Sequence, residues 1–350
     1  MKRMMKVSIA TLLLLAYSVV LMQSFAYSAI TEEQMDAFLA EQGAPEIVIQ
    51  KLPFDLKKRI YLGESQIEVG EPTYGVFTDD YRVEYKLENG QVVMDQQSRS
   101  QLKKLLSDEE AVANVLLSNE QAEAGKPVRL AANVKTEQDA INANKEDTRT
   151  YLMENREKIQ SLKEMPEDAV LRTVKNWQSA IVCVQLSYSN SLVSKIFLFA
   201  WEWRNRPMNC LTDKAAIAWS GNFAGEPNSF AWNYQGYRMG PEEIHYEAEG
   251  VNYTDYEPNT GIGTDIDIKY KYGTFNIIRH VGLIGVKVTK RTTDNTRESA
   301  VGRYYHKYIA LALNGALSFT TNGTQPSISI SWNYAYDKAP DAGCTFDAIS

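Results

Sequence analysis

The sequence predicts a mainly β, α+β protein. It divides into a small helical N-terminal unit, a charged helical connector and a C-terminal antiparallel β-sandwich. Three observations carry this. Of the 37 aromatic residues, 26 lie in residues 171–350, and all six Trp lie at or after Trp177. Residues 96–170 hold a single aromatic, Tyr151, against 25 charged residues, so that segment has little with which to found a core of its own. From about residue 166 the chain runs in short β-branched and aromatic stretches separated by Gly- and Asn-rich turns, which favours a sandwich over a parallel α/β sheet.

The expected organisation is a signal peptide over 1–26, a helical unit with a β-hairpin over 30–95, the connector over 96–165 and the sandwich over 166–340. At the N-terminus, Lys2, Arg3 and Lys6 precede an apolar run opened by Leu12 to Leu15, and Ser24 and Ala26 take the −3 and −1 positions. That is the pattern of a secretory signal peptide, with Ala26 and Ser28 as a second register. In the helical unit, Thr31 with Gln34 forms a capping box, and Met35, Phe38 and Leu39 make an apolar stripe. Gly43 and Pro45 separate this helix from the next, whose face is Ile47, Val48 and Leu52. Pro53 ends it, and a short helix or turn over Asp55 to Tyr61 closes at Gly63.

Tyr81, Val83, Tyr85 and Leu87 then alternate with charged residues up to Asn89-Gly90, a strong hairpin signal. In 96–165, Leu102, Leu105, Leu106 and Val112, Val115, Leu116 recur at helical spacing, but the segment reads as a charged, solvated helical or mobile connector with no assigned tertiary contact. The last stretch predicts an antiparallel meander, with Asn314-Gly315 and Asn322-Gly323 joining Tyr304–Leu313, Leu317–Thr321 and Ser327–Tyr336.

Charge narrows the function. The net charge is −7, and cleavage would remove three cations, so a nucleic-acid partner is not expected. No transmembrane span is expected after cleavage. Export permits disulfides. Cys183, Cys210 and Cys344 are an odd set, and a Cys183–Cys210 bridge stands against buried thiols as the alternative. No CxxC or Cys/His spacing suggests zinc.

Three stretches resemble a group of uncharacterised secreted proteins from Gram-positive bacteria. They are Phe38-Leu39 with Gly43-Ala44-Pro45 and Leu52 to Lys57 with Ile60-Tyr61; Trp201-Glu202-Trp203 with Arg206-Pro207, Thr212-Asp213 and Ala216 to Trp219; and Gly302 to His306. The resemblance implies secretion and a β-rich C-terminal half. It supplies no catalytic residues, and the long charged insert and three Cys depart from that pattern.

Few residues suggest chemistry. Asp265 and Asp267 share a strand face and suit a Ca²⁺ site or a glycosidase acid/base pair; a polar strand face is the alternative. His306 shares a face with Tyr304 and Tyr308, and a structural histidine is the default for it. Glu242, Glu243 and His245 form an acidic turn. No GxSxG elbow or Cys/His protease signature is present. Trp201, Trp203, Trp232 and Tyr234 are the candidate aromatic-binding residues, set against core packing. The function expected is that of an exported, non-catalytic cell-surface or extracellular binding protein, with an envelope glycan or protein as partner. The alternatives are a secreted membrane-acting toxin or bacteriocin-like protein, and an extracellular hydrolase built on Asp265, Asp267 and His306.

Overall fold

A computed structural model describes residues 30–124, 136–205, 210–237, 244–273 and 275–349. The stretch read as a signal peptide lies outside the described residues. The chain is 43% strand and 29% helix, and its sheets are antiparallel.

Helices α1 (Glu32–Glu41), α2 (Glu46–Ile49) and α3 (Phe54–Tyr61) come first. The Thr31–Gln34 capping box forms in both directions, satisfying two N–H groups that a helix start leaves open. Gly43 sits at φ +82°, the left-handed conformation that glycine adopts without a Cβ penalty, and Pro45 starts α2. Strands β1 (Gln66–Val69), β2 (Thr73–Phe77), β3 (Arg82–Glu88) and β4 (Gln91–Val93) follow. Asn89 and Gly90 both take positive φ, as a two-residue type I′ turn requires, and Glu88 pairs with Gln91 as expected.

The charged segment folds as α4 (Gln96–Ser107), α5 (Glu109–Glu123), α6 (Glu137–Glu154) and α7 (Arg156–Leu162), and α8 (Glu167–Val174) follows. The expected β region therefore begins with a helix, which Pro166 initiates. The long strands are β5 (Trp177–Ser189), β6 (Leu192–Trp203), β7 (Thr212–Trp219), β8 (Ala231–Tyr237), β9 (Ile244–Gly250), β10 (Asp255–Glu257), β11 (Gly261–Asp267), β12 (Arg279–Arg291) and β13 (Arg297–Lys307). The chain closes with β14 (Leu317–Asn322), β15 (Gln325–Ile330), β16 (Tyr336–Lys338) and β17 (Ala342–Asp347).

The large sheet runs β9-β8-β12-β6-β5-β2-β3-β4, with β1 also on β5. The smaller sheet runs β10-β11-β7-β13-β16, with β17 also on β13. Their inner faces enclose the main core, which includes Phe77, Trp177, Phe197, Phe199, Trp201, Trp203, Trp219 and Tyr304. The helices cover the outer face of the large sheet. Leu39, Ile47, Val48, Leu56 and Ile60 pack on Ala180, Val182, Val184, Leu198 and Ala200. The β2–β3 end of that face meets α4–α8, where Leu102, Leu105, Val115, Leu116, Ile159 and Leu171 bury against Val76, Val83 and Tyr85.

This corrects the expected division in two ways. Strands β1–β4 are part of the sandwich sheet, and the described residues of 96–165 are a packed helical layer on it, not a mobile connector. The segment lacks aromatics because the sheet supplies them: its Leu and Val need only one apolar face to pack against. The meander is also half right. Around Asn322-Gly323, β14 and β15 form a hairpin. The run before Asn314-Gly315 ends at Lys307, pairs with β7 and β17, and gives way to an irregular loop over 308–316. The hairpin folds over the outer face of the smaller sheet, burying Leu317, Phe319 and Ile328 on Ala216, Ala218 and Tyr305.

Candidate functional site

Strand periodicity decides the fate of most expected site residues. Trp201 and Trp203 are 0% exposed and Tyr234 is 1% exposed, so these three are core and not ligand platforms. They lie on the inner face of the large sheet, where the second sheet covers them. The Trp203 Nε1–H donates to the Phe77 carbonyl at 2.8 Å, and Tyr234 Oη bonds His280 Nδ1 at 2.9 Å. Trp232 is half-buried at the edge of the same core.

Asp265 and Asp267 face away from His306. Asp213 pairs with Ile266 and points into the core, so Asp265 and Asp267, one position either side of Ile266, fall on the outer face. Asp265 is bound by Lys214 Nζ, which Asp255 also holds at 3.0 Å. Asp267 is bound by Lys269. Each carboxylate thus has a lysine on one of its oxygens, and neither stands on the face that carries His306. The His245 side chain lies outside the described residues.

No disulfide joins Cys183 and Cys210. Cys183 lies six residues along β5 from Trp177, opposite Phe197, roughly 20 Å from the strand's start. Cys210 sits two residues before β7, against the end of the core that holds Tyr234 and Tyr304.

His306 occupies a site whose composition its sequence neighbours did not reveal. Its Nδ1 lies 3.1 Å from both Asp213 oxygens, and its Nε2 lies 3.1 Å from Asp79 Oδ1. Asp213 also accepts from Tyr304 Oη and from the Lys307 backbone N–H at 3.0 Å. The imidazole packs against Trp203, with centroids 4.8 Å apart. Burial works against its charge, but the Asp213 carboxylate, with Asp79 behind it, pushes the pKa up to about 10. At neutral pH both ring nitrogens are therefore engaged donors. The group serves as a cationic pin between strands and has no lone pair to offer as a general base. Asp79 comes from the turn after β2, far away in sequence, so no local pattern could have disclosed it.

Asp337 pairs with His306 across the strands, and its Oδ2 is buried without a hydrogen bond. Burial pushes this carboxyl up to about 6, with His306 opposing the shift and Asp79 adding to it. A raised carboxyl pKa penalises the folded state as pH climbs from the unfolded value of about 3.9 through 6. Asp337→Asn should therefore stabilise the protein by about 1 kcal/mol at pH 8, after allowance for partial exposure, with the gain vanishing near pH 4. Urea unfolding at both pH values checks this, and a loss of stability at pH 8 would contradict it.

On the outer face of the large sheet lies a second charge cluster. Glu202, between the core residues Trp201 and Trp203, accepts from Arg204 Nε at 2.6 Å and Arg279 Nε at 2.5 Å. Lys51, after α2, reaches Gln235 and lies 3.5 Å from Tyr237 Oη. Burial, then the Arg279 charge, lowers its ammonium to about 8. These contacts join α2 to β6, β8 and β12, a structural role.

Beyond His306 the chain builds an exposed surface. Lys307 Nζ donates to the Ala312 carbonyl at 2.7 Å and to Asn314 Oδ1 at 2.8 Å. The Gly315 N–H donates to Tyr336 Oη at 3.1 Å. The Tyr308 hydroxyl donates to the Tyr334 carbonyl. The loop 308–316 is therefore tied down at both ends, yet it presents Leu311 at 98% and Leu313 at 70% exposure. Beside it, Trp332 and Tyr334 are 47% and 56% exposed, their ring centroids 6.0 Å apart at 87°. Trp332 holds φ +57°, a left-handed conformation that costs a non-glycine residue roughly 1–2 kcal/mol. From Tyr308 to Tyr336 the chain carries no Asp, Glu, Lys, Arg or His, although 23% of all residues are Asp, Glu, Lys or Arg.

No family of known sequences matches the chain, and no curated protein matches it. Among solved structures, one described as AvmM, which catalyses macrocyclization in alchivemycin A biosynthesis, aligns at 10% identity. It covers 45% of this chain and 95% of that one, with a TM-score of 0.21. A second is described as manganese lipoxygenase of Gaeumannomyces graminis with a partial structure of zonadhesin of Komagataella pastoris. It aligns at 7% identity over 49% of this chain and 57% of that one, with a TM-score of 0.14. Superpositions this loose carry no argument about fold or function.

Proposed function

We propose that this chain is an exported, non-catalytic binding protein of the bacterial cell surface or extracellular space, with a component of the cell envelope as its partner. Its contact surface is the uncharged segment 308–336. The observation that carries this reading is the exposure of Leu311 and Leu313 beside Trp332 and Tyr334 on a loop whose backbone is held by Lys307 and Tyr336. A large apolar patch kept in water by a fixed scaffold marks an interaction site. The signal-peptide pattern of residues 1–26 supports export.

The whole mature chain from residue 27 is the species to test, because β1–β4 complete the large sheet and a fragment starting at 166 would lack them. Incubated with intact bacterial cells, it should pellet with them, and Leu311→Ser with Leu313→Ser should reduce retention at least tenfold. A mature chain that stays in the supernatant would sink the proposal.

A further inference from the structure

We infer that the partner of this surface is a lipid bilayer, into whose interface the loop 308–316 inserts. The inference rests on the contact surface proposed above and names what that surface meets.

Three features point to lipid. The first is the order of polarity along the protrusion. Leu311 and Leu313, at i and i+2, are its most exposed large apolar side chains, while Ala312 between them is half-buried and turned to the small hairpin core. Tyr334 and Trp332 follow, and the hydroxyl-bearing strands β14 and β15 stand behind, with Ser318 and Thr320 exposed. Aliphatic tip, aromatic collar and neutral polar base match the gradient from acyl chain to headgroup to water, in which Trp and Tyr prefer the headgroup level.

The second feature is the absence of charge from Tyr308 to Tyr336. The net charge of −7 weighs against approach to an anionic membrane when taken as an average. The segment itself carries none of it, and Leu311 and Leu313 stand in water on an uncharged loop, so the tip can enter the interface without desolvating an ion of its own. At its base, Lys307 is 5% exposed and bonded to Ala312 and Asn314, and Lys214 is paired with Asp255.

The third is rigidity. The tip is held open by Lys307, Tyr308 and Tyr336, and Trp332 is kept in a strained conformation that presents its ring outward. A glycan site would be expected to place its aromatic rings in a concavity among hydrogen-bonding groups; here the leucines are more exposed than the rings.

The mature chain should co-sediment with phosphatidylcholine vesicles. Binding should change less than twofold between 50 and 500 mM NaCl, since no charge pair drives it. Leu311→Ser with Leu313→Ser should weaken it at least tenfold with an unchanged circular dichroism spectrum, both side chains being exposed. Trp332→Asn, which relieves the left-handed strain, should weaken binding while leaving the fold intact. Absence of co-sedimentation, or binding that the double variant leaves untouched, overturns the inference. Retention on cells without binding to vesicles overturns the lipid partner alone and leaves the contact surface standing. Self-association of the free chain, lost in the double variant and unaccompanied by vesicle binding, would assign the face to a second copy and likewise overturn it.

Discussion

Replacing Asp213 with Ala should lower the unfolding free energy by about 3–5 kcal/mol, the usual cost of removing one partner from a buried ion pair. The substitution strips the His306 Nδ1 of its carboxylate and leaves the cation with Asp79 on Nε2 and Asp337 across the strands. It also orphans the Tyr304 hydroxyl and the Lys307 N–H, both of which now end on Asp213. Denaturant unfolding at pH 7 measures the loss, and a value under about 1 kcal/mol would show that the pair is not formed as described.

The same cluster dictates a pH dependence. The folded pKa of His306, about 10, lies above the unfolded value of about 6.5. Its contribution is thus fully present below pH 6.5, where both states hold the proton. It is lost as pH rises toward 10, because the unfolded chain releases the proton first. The slope reaches about 1.4 kcal/mol per pH unit. The stability gap between the parent and His306→Gln should therefore shrink steadily from pH 6.5 to 10. A gap that widens would refute the assignment of His306 as a buried cation.

Trp203→Ala should cost about 3–5 kcal/mol, the range for emptying a large core side chain. It leaves a cavity beside Phe77 and His306 and strips the Phe77 carbonyl of its donor. Trp332→Ala, at a half-exposed ring, should stay within about 1 kcal/mol. Thermal unfolding of the two variants separates structural from surface aromatics directly. Comparable effects at both positions would undo the distinction on which the contact surface depends.

Much of the local structure was legible in the sequence because its causes are local. The Thr31–Gln34 box, the stop at Gly43 and Pro45, and the Asn89-Gly90 turn each act within four residues and appear where expected. The β-branched and aromatic stretches Ala180–Tyr188 and Lys195–Trp203 read as strands, and the structure extends them to Trp177–Ser189 and Leu192–Trp203. The boundary at 166 was misplaced because Pro166 starts one more helix before the β region.

The candidate site was not legible. Alternation established that Trp201 and Trp203 share one strand face, and it placed Asp265 and Asp267 on another. Which face a second sheet covers is not written in the strand itself. Here it depends on β7 and β13 packing across the sandwich, which turns the tryptophans into core and separates the two aspartates from His306. The charged segment 96–165 was misread for the same reason, since its apolar half-faces make sense only on the outer face of a sheet built from strands on both sides of it in sequence.

By itself, then, the sequence determined where several helices and hairpins begin and that the C-terminal half is β. Only the tertiary structure decided that His306 is a cation pinned between Asp213 and Asp79, and that Trp201 and Trp203 are core while Leu311, Leu313, Trp332 and Tyr334 are exposed. The physical reason is range. Capping and turn formation act over a few residues, whereas burial and charge pairing join groups such as Asp79 and His306, which lie 227 positions apart and meet only when the sheets close.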